Sequence, residues 1–253
     1  MMTMSDPFSF LYGQQASLVI FPLAVETPIF IKMEDKKITL SDIYPDSNDI
    51  DKISVISHTN DVSRPMCIFG VLDNEMGMNI RKEMLAWLLP AYNVIEVRQK
   101  PPGILYEYPA LRFAQWFLLN NDINYCLYVH TKGAGNNNSI QKYIRAMWRN
   151  EFGDENRRKP YIEACDTDEP VQVCPYLGPH GAETWFNGFF ANKAAFKELG
   201  DIEKYENRYL YECLFNPVKD RVKIKALLKD NINSGGVIAN VIGYAKYHNH
   251  RLF

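Results

Sequence analysis

The sequence predicts an α/β fold with a mostly parallel central sheet flanked by helices. Three observations carry that prediction. Met66–Leu72 and Tyr125–His130 are continuous apolar runs of strand length, as strands covered on both faces require. The segments between them repeat their apolar residues at helical spacing. From residue 66 to 130 the order is strand, helix, strand, helix, strand, which calls for right-handed crossovers and parallel pairing.

Taken in order, Ser17-Leu18-Val19-Ile20-Phe21 and Pro28-Ile29-Phe30-Ile31 read as short strands, and the acidic stretch 46–51 as a loop. Residues 1–64 are expected to be an extension packed on a main domain at 65–253. Met66–Leu72 ends at Asp73-Asn74, residues able to cap a helix or to touch a base or ribose. Met76–Leu89 is expected to be a helix, with the apolar residues Met76, Ile80, Met84, Trp87 and Leu88 at helical spacing, stopped by Pro90. Tyr92–Val97 is a second strand, Pro101-Pro102-Gly103 a turn, and Pro109–Leu119 a second helix. After the third strand, Tyr125–His130, the pattern predicts a helix at Ile140–Phe152 and a short strand at Val171–Cys174. Helices follow at Lys193–Leu199 and at Tyr205–Phe215, the last ended by Pro217. Arg157-Arg158-Lys159 reads as a solvated basic loop.

Composition narrows the function classes. The 253 residues carry 28 Lys and Arg against 30 Asp and Glu, a net charge of −2, so no basic field awaits a nucleic acid. The 5 cysteines form no C-x-x-C pair and no zinc spacing; Cys67, Cys126 and Cys213 read as small buried hydrophobes in a reducing compartment. Met1–Gln15 lacks the basic start and apolar run of a secretion signal, and 16–31 is too short and too broken to span a bilayer. A cytoplasmic protein is expected, with peripheral membrane contact left open.

In an open parallel sheet, ligands bind beyond the carboxyl ends of the strands. There the chain reads His130-Thr131-Lys132-Gly133-Ala134-Gly135: a cation, a hydroxyl and glycines that let backbone N–H groups approach a ligand. Such a corner suits a diphosphate, although a plain strand-to-helix turn has the same composition. Lys132 precedes Gly133, so the phosphate loop of nucleotide hydrolases is excluded, and no G-x-S-x-G elbow marks a serine hydrolase.

The run Leu127-Tyr128-Val129-His130-Thr131-Lys132-Gly133, then Met147-Trp148-Arg149, then Trp185-Phe186-Asn187-Gly188-Phe189-Phe190-Ala191 resembles a group of polysaccharide-associated glycosyltransferases, over roughly residues 66–215. The resemblance implies a GT-A-like, Rossmann-type fold, with a nucleotide-sugar in the first half and a saccharide acceptor in the second. Enzymes of that fold usually place an Asp-x-Asp at the equivalent strand end to hold a divalent metal; His130-Thr131-Lys132 stands there instead. Mn or Mg therefore has one tentative ligand, His130, and metal independence is the alternative, with Lys132 supplying the charge. The His248-Asn249-His250 tail offers two further imidazoles, or only a solvated end.

On this reading His130, Thr131, Lys132, Gly133, Arg149 and Asp73 contact the donor, and Trp185, Asn187 and Gly188 the acceptor. Arg149 has a surface ion pair with Glu151 or Asp154 as its simpler role, and Arg145 shares that ambiguity. Glu212, Glu183 and His180 are candidates for the base that deprotonates an acceptor hydroxyl. The expected activity is sugar transfer to a glycan or glycolipid; the alternative is an inactive nucleotide-sugar-binding protein of the same fold.

Overall fold

A computed structural model describes residues 19–20, 30–33, 36–45, 50–58, 63–101, 107–135, 139–177, 187–205 and 209–228. Three short strands, β1 (Val19–Ile20), β2 (Phe30–Met33) and β3 (Lys36–Ile38), form a small antiparallel sheet. Helix α1 (Leu40–Ile43) follows, opened by a Thr39–Asp42 capping box. The main sheet has seven strands: β4 (Ile53–His58), β5 (Met66–Leu72), β6 (Asn93–Gln99), β7 (Tyr125–His130), β8 (Val171–Cys174), β9 (Phe189–Asn192) and β10 (Lys223–Ala226). Their spatial order is β10-β8-β9-β7-β5-β6-β4. Strands β5, β6, β7, β8 and β10 run parallel, and β4 and β9 run against them.

Helices α2 (Glu75–Ala91) and α3 (Tyr108–Asn120) make the two crossovers of the first half. The step from β5 to β6 moves one way across the sheet; the step to β7 returns over β5. Right-handed crossovers in opposite directions place their helices on opposite faces. Alternation along the strands agrees. Met66, Ile68, Cys126 and Tyr128 pack with Leu111, Ala114 and Phe117 of α3. Cys67, Phe69, Leu127 and Val129 pack with Ile80, Met84 and Leu88 of α2. Both faces are therefore apolar, which is why these strands are unbroken hydrophobic runs.

The α2 face is completed by α4 (Ser139–Gly153) and α5 (Glu155–Cys165), the α3 face by α6 (Lys193–Glu198) and the single-turn α7 (Tyr209–Glu212). Four differences from the sequence reading have physical causes. Helix α2 runs through Pro90 to Ala91, because Pro90 lies on its exposed side in the last turn. The basic run Arg157-Arg158-Lys159 is helical, not a loop: Asp154 caps α5 by accepting from the Arg157 N–H (3.1 Å). The expected helix over 205–215 shrinks to α7, with Tyr205 outside it donating its N–H to the Tyr211 hydroxyl (2.8 Å) and Pro217 inside a following 3-10 turn. Strands β4 and β10, at the two edges, escape the reading of the sequence.

Among the described residues no helix is long and apolar enough to cross a membrane. Cys67, Cys126, Cys165 and Cys174 are buried free thiols, and burial pushes the Cys165 thiol up to about 12.

Candidate functional site

Because β6 and β7 lie on either side of β5, the sheet has a switch point between β5 and β7, where an α/β sheet leaves a crevice at its carboxyl edge. The parallel ladder ends at Gly70 opposite His130. Beyond it Thr131 extends the pairing twice. Its N–H donates to the Gly70 carbonyl (2.9 Å), and its hydroxyl oxygen accepts from the Leu72 N–H (3.1 Å). The chain then curls over the strand ends. Lys132 N–H donates to the His130 carbonyl (2.6 Å), Ala134 N–H to the Thr131 carbonyl (3.0 Å), and Gly133 adopts φ 97°, a conformation open to glycine and strained for other residues.

Two helices hold this turn from outside. Arg145 of α4, itself buried, donates to the Lys132 carbonyl (2.7 Å) and pairs with Glu83 of α2 (3.2 Å). Asn74 caps α2 by accepting from the Gly77 N–H (2.6 Å) and donates its amide to the Ala134 carbonyl (3.3 Å).

Under the turn lies a cavity of about 270 Å³. Thr131, Lys132 and Gly133 line one side, Gly70 and Leu72 the strand side, and Glu107, Tyr128 and His130 the inner wall. Gly70 permits a close approach at this edge: a Cβ there would sit 3.0 Å from the Ala110 Cβ and 3.3 Å from the His130 Cβ. Lys132 is buried, with 3% of its surface exposed, so its charge acts in a site shielded from bulk water.

The structure brings His130, Thr131, Lys132 and Gly133 together at the cavity, as their place in the sequence predicts. The expected cluster of available N–H groups is corrected in part: those of Thr131, Lys132 and Ala134 are consumed by carbonyls of the turn and β5. Asp73 sits one residue beyond the lining, its N–H donating to the Gln99 carbonyl (2.8 Å), and the capping role falls to Asn74. Arg149 is exposed on α4 and outside the lining; the arginine that reaches the turn is Arg145. The partners offered to Arg149 are taken elsewhere, since Glu151 pairs with Arg157 (3.1 Å) and Asp154 caps α5.

Asn187 and Gly188 lie just before β9, beside Trp148 of α4 rather than in the cavity lining. Asn187 is fully buried, has φ 57°, and its amide finds no hydrogen-bond partner among the described residues. A side chain at Gly188 would fall inside the Trp148 indole. That glycine lets the indole reach the end of the sheet, where its centroid lies 5.8 Å from the His130 ring. Trp185, Glu183, His180, His248 and His250, and the side chain of Glu212, lie outside the described residues.

For a metal, the available donors are the His130 imidazole and the Glu107 carboxylate, whose nearest atoms are 3.9 Å apart. Among the described residues no three His, Cys, Asp or Glu side chains converge, and Mg or Mn takes more oxygen ligands than this pair offers. The donor set does not by itself fit such an ion.

Arg145 was offered by the sequence beside Arg149, whereas Glu107, Tyr128 and Gly70 are not among the candidates read from it. Two signals point to them: Gly70 is a glycine inside a bulky buried strand, which marks close approach, and Glu107 falls in the loop after a parallel strand, on the ligand edge. Comparison with protein-family models, with curated proteins and with solved structures gives no match to this chain.

Proposed function

We propose that the protein is a glycosyltransferase of GT-A-like fold, which moves a sugar from a nucleotide-sugar to a glycan or glycolipid. One observation carries the reading: a cavity at the sheet's switch point, at the carboxyl ends of β5 and β7, has the buried cation Lys132 on its wall. In the reaction the acceptor oxygen forms a bond to the anomeric carbon, and the bond from that carbon to the phosphate oxygen breaks. The electron pair leaves on the diphosphate, and the proton of the acceptor hydroxyl passes to a general base or to the departing diphosphate. A cation held in a partly dry site lowers the cost of that leaving charge, the role a metal plays where Asp-x-Asp is present. Arg145 and Gly133 act as positioning residues, because they fix the turn that carries Lys132.

The reading is tested by thermal shift of the full chain with UDP-, GDP- and dTDP-sugars, with and without Mn. At least one donor is expected to raise the melting temperature. Lys132→Met is expected to weaken diphosphate binding by about tenfold, the loss of one charge-assisted contact. Binding without turnover of any donor supports the inactive binding protein instead, which the missing Asp-x-Asp favours. Absence of any shift with every donor overturns both.

A further inference from the structure

The inner wall of the cavity differs from the turn side in chemistry. Tyr128 lines it and is fully buried, yet its hydroxyl has no hydrogen-bond partner among the described residues. A Cβ at position 70 would lie 3.7 Å from that hydroxyl, so the glycine lets the strand end and the hydroxyl come close beside the cavity. Burial and then the nearby Glu107 hold the Tyr128 phenol well above its usual range, so it stays protonated and can both donate and accept. Beside it stands Glu107, 6% exposed, its carboxylate 3.9 Å from the His130 ring. An ionised carboxylate only accepts.

We infer that this wall binds an uncharged sugar ring through its hydroxyls and rejects a sugar that carries a carboxylate. The inference rests on the donor reading above and names its substrate class. A hydroxyl is the ligand group that serves both partners, since it donates to Glu107 and either donates to or accepts from Tyr128. The carboxylate of a uronic acid would have to sit near Glu107 in a site shielded from water, where like charges repel strongly. The cationic turn and the acidic wall thus give the cavity polarity: phosphate at Lys132, neutral ring at Glu107.

The test is calorimetric titration of the full chain with matched pairs, UDP-glucose against UDP-glucuronate and GDP-mannose against GDP-mannuronate, with UDP and GDP as references. The neutral member is expected to bind roughly tenfold tighter or more, given like charges a few ångström apart in a site partly shielded from solvent. Glu107→Gln is expected to abolish most of that preference. Tyr128→Phe is expected to weaken the neutral sugars several-fold and leave UDP and GDP unchanged; it keeps the inference testable if Glu107→Gln fails to fold by circular dichroism. Equal affinity for neutral and uronic forms overturns the inference and leaves the donor reading intact. Failure of every nucleotide to bind overturns both.

Discussion

Asn192 stands at one end of β9 and Asn187 just before the other, both fully buried, and the two meet opposite treatment. Asn192 lies at the amino edge of β7, paired with Tyr125. Its side-chain oxygen accepts from the N–H groups of Val171 (3.0 Å) and Ala195 (2.9 Å), and its amide donates to the carbonyls of Thr167 (2.9 Å) and Glu169 (2.6 Å). Around it Lys193 donates to the Asn121 carbonyl (2.7 Å) and Asn124 to the same Thr167 carbonyl (3.3 Å), so that edge is closed. Asn187 lies at the carboxyl edge. Its amide, the Tyr128 hydroxyl and the Trp148 ring N–H are all buried without partners among the described residues. Buried polar groups cost free energy unless paired. One edge of the sheet uses its polar groups to hold strands together; the other keeps them in reserve beside a cavity.

Removing a member of the closed edge is expected to have the largest effect on stability. Asn192→Ala removes the side-chain partner of two N–H groups and of the Glu169 carbonyl, while the Thr167 carbonyl keeps Asn124, and is expected to cost about 4 kcal/mol. Chemical denaturation checks this, and nucleotide binding of the folded fraction is expected to be unchanged. A cost below about 1 kcal/mol would erase the contrast between the edges.

A second closed group sharpens the comparison, because it is charged. Glu96 of β6 is fully buried, like Asn192, and it is met by His58 of β4 (3.0 Å), Arg81 of α2 (2.6 Å) and Arg98. Burial alone would raise its carboxyl, but the hydrogen bonds from these three side chains outweigh it and hold the group at about 2 instead of 4.5. The folded value is depressed, so the stabilisation is full above the unfolded value and lost as pH falls from about 4.5 towards 2. Glu96→Gln is expected to cost about 3 kcal/mol at neutral pH, and to flatten the acid limb of a stability-against-pH curve. Glu107, the other buried carboxylate of this comparison, faces the cavity.

The same contrast explains what the sequence could reveal. Strands β5, β7 and β8 match their expected bounds residue for residue; in β5 and β7 burial on both faces leaves an unbroken apolar run, and in β8 only Gln172 interrupts it. Edge strands lack that signature. In β10 the sequence is Lys-Ile-Lys-Ala, with its first residue exposed and the rest half-buried, and in β4, Ile-Ser-Val-Ile-Ser-His, only Ile53 and Val55 are buried. Helix α5 turns only Tyr161 and Cys165 into the core, so its basic run carries no helical stripe. At the site, Lys132 was legible because a cation directly after a buried strand is conspicuous. Tyr128 was not: inside an apolar strand its hydroxyl matters only once it is seen to line the cavity without a partner among the described residues. Arg145 and Arg149 share a helix one turn apart, and a displacement of about 6 Å along its axis separates the buried clamp from the exposed side chain.

The smallest expected effect on stability tests the open edge itself. At φ 57° Asn187 occupies a conformation that glycine adopts without strain. Asn187→Gly also removes an amide that has no partner among the described residues, so no hydrogen bond is lost with it. Against this stand the added freedom of the unfolded chain and a little lost packing, each worth less than about 1 kcal/mol. The variant's stability is therefore expected to lie within about 1 kcal/mol of the parent by chemical denaturation, far from Asn192→Ala. A loss as large as that of Asn192→Ala would mean that the Asn187 amide is a structural tie like its counterpart, and the carboxyl edge would then hold no polar group in reserve at β9.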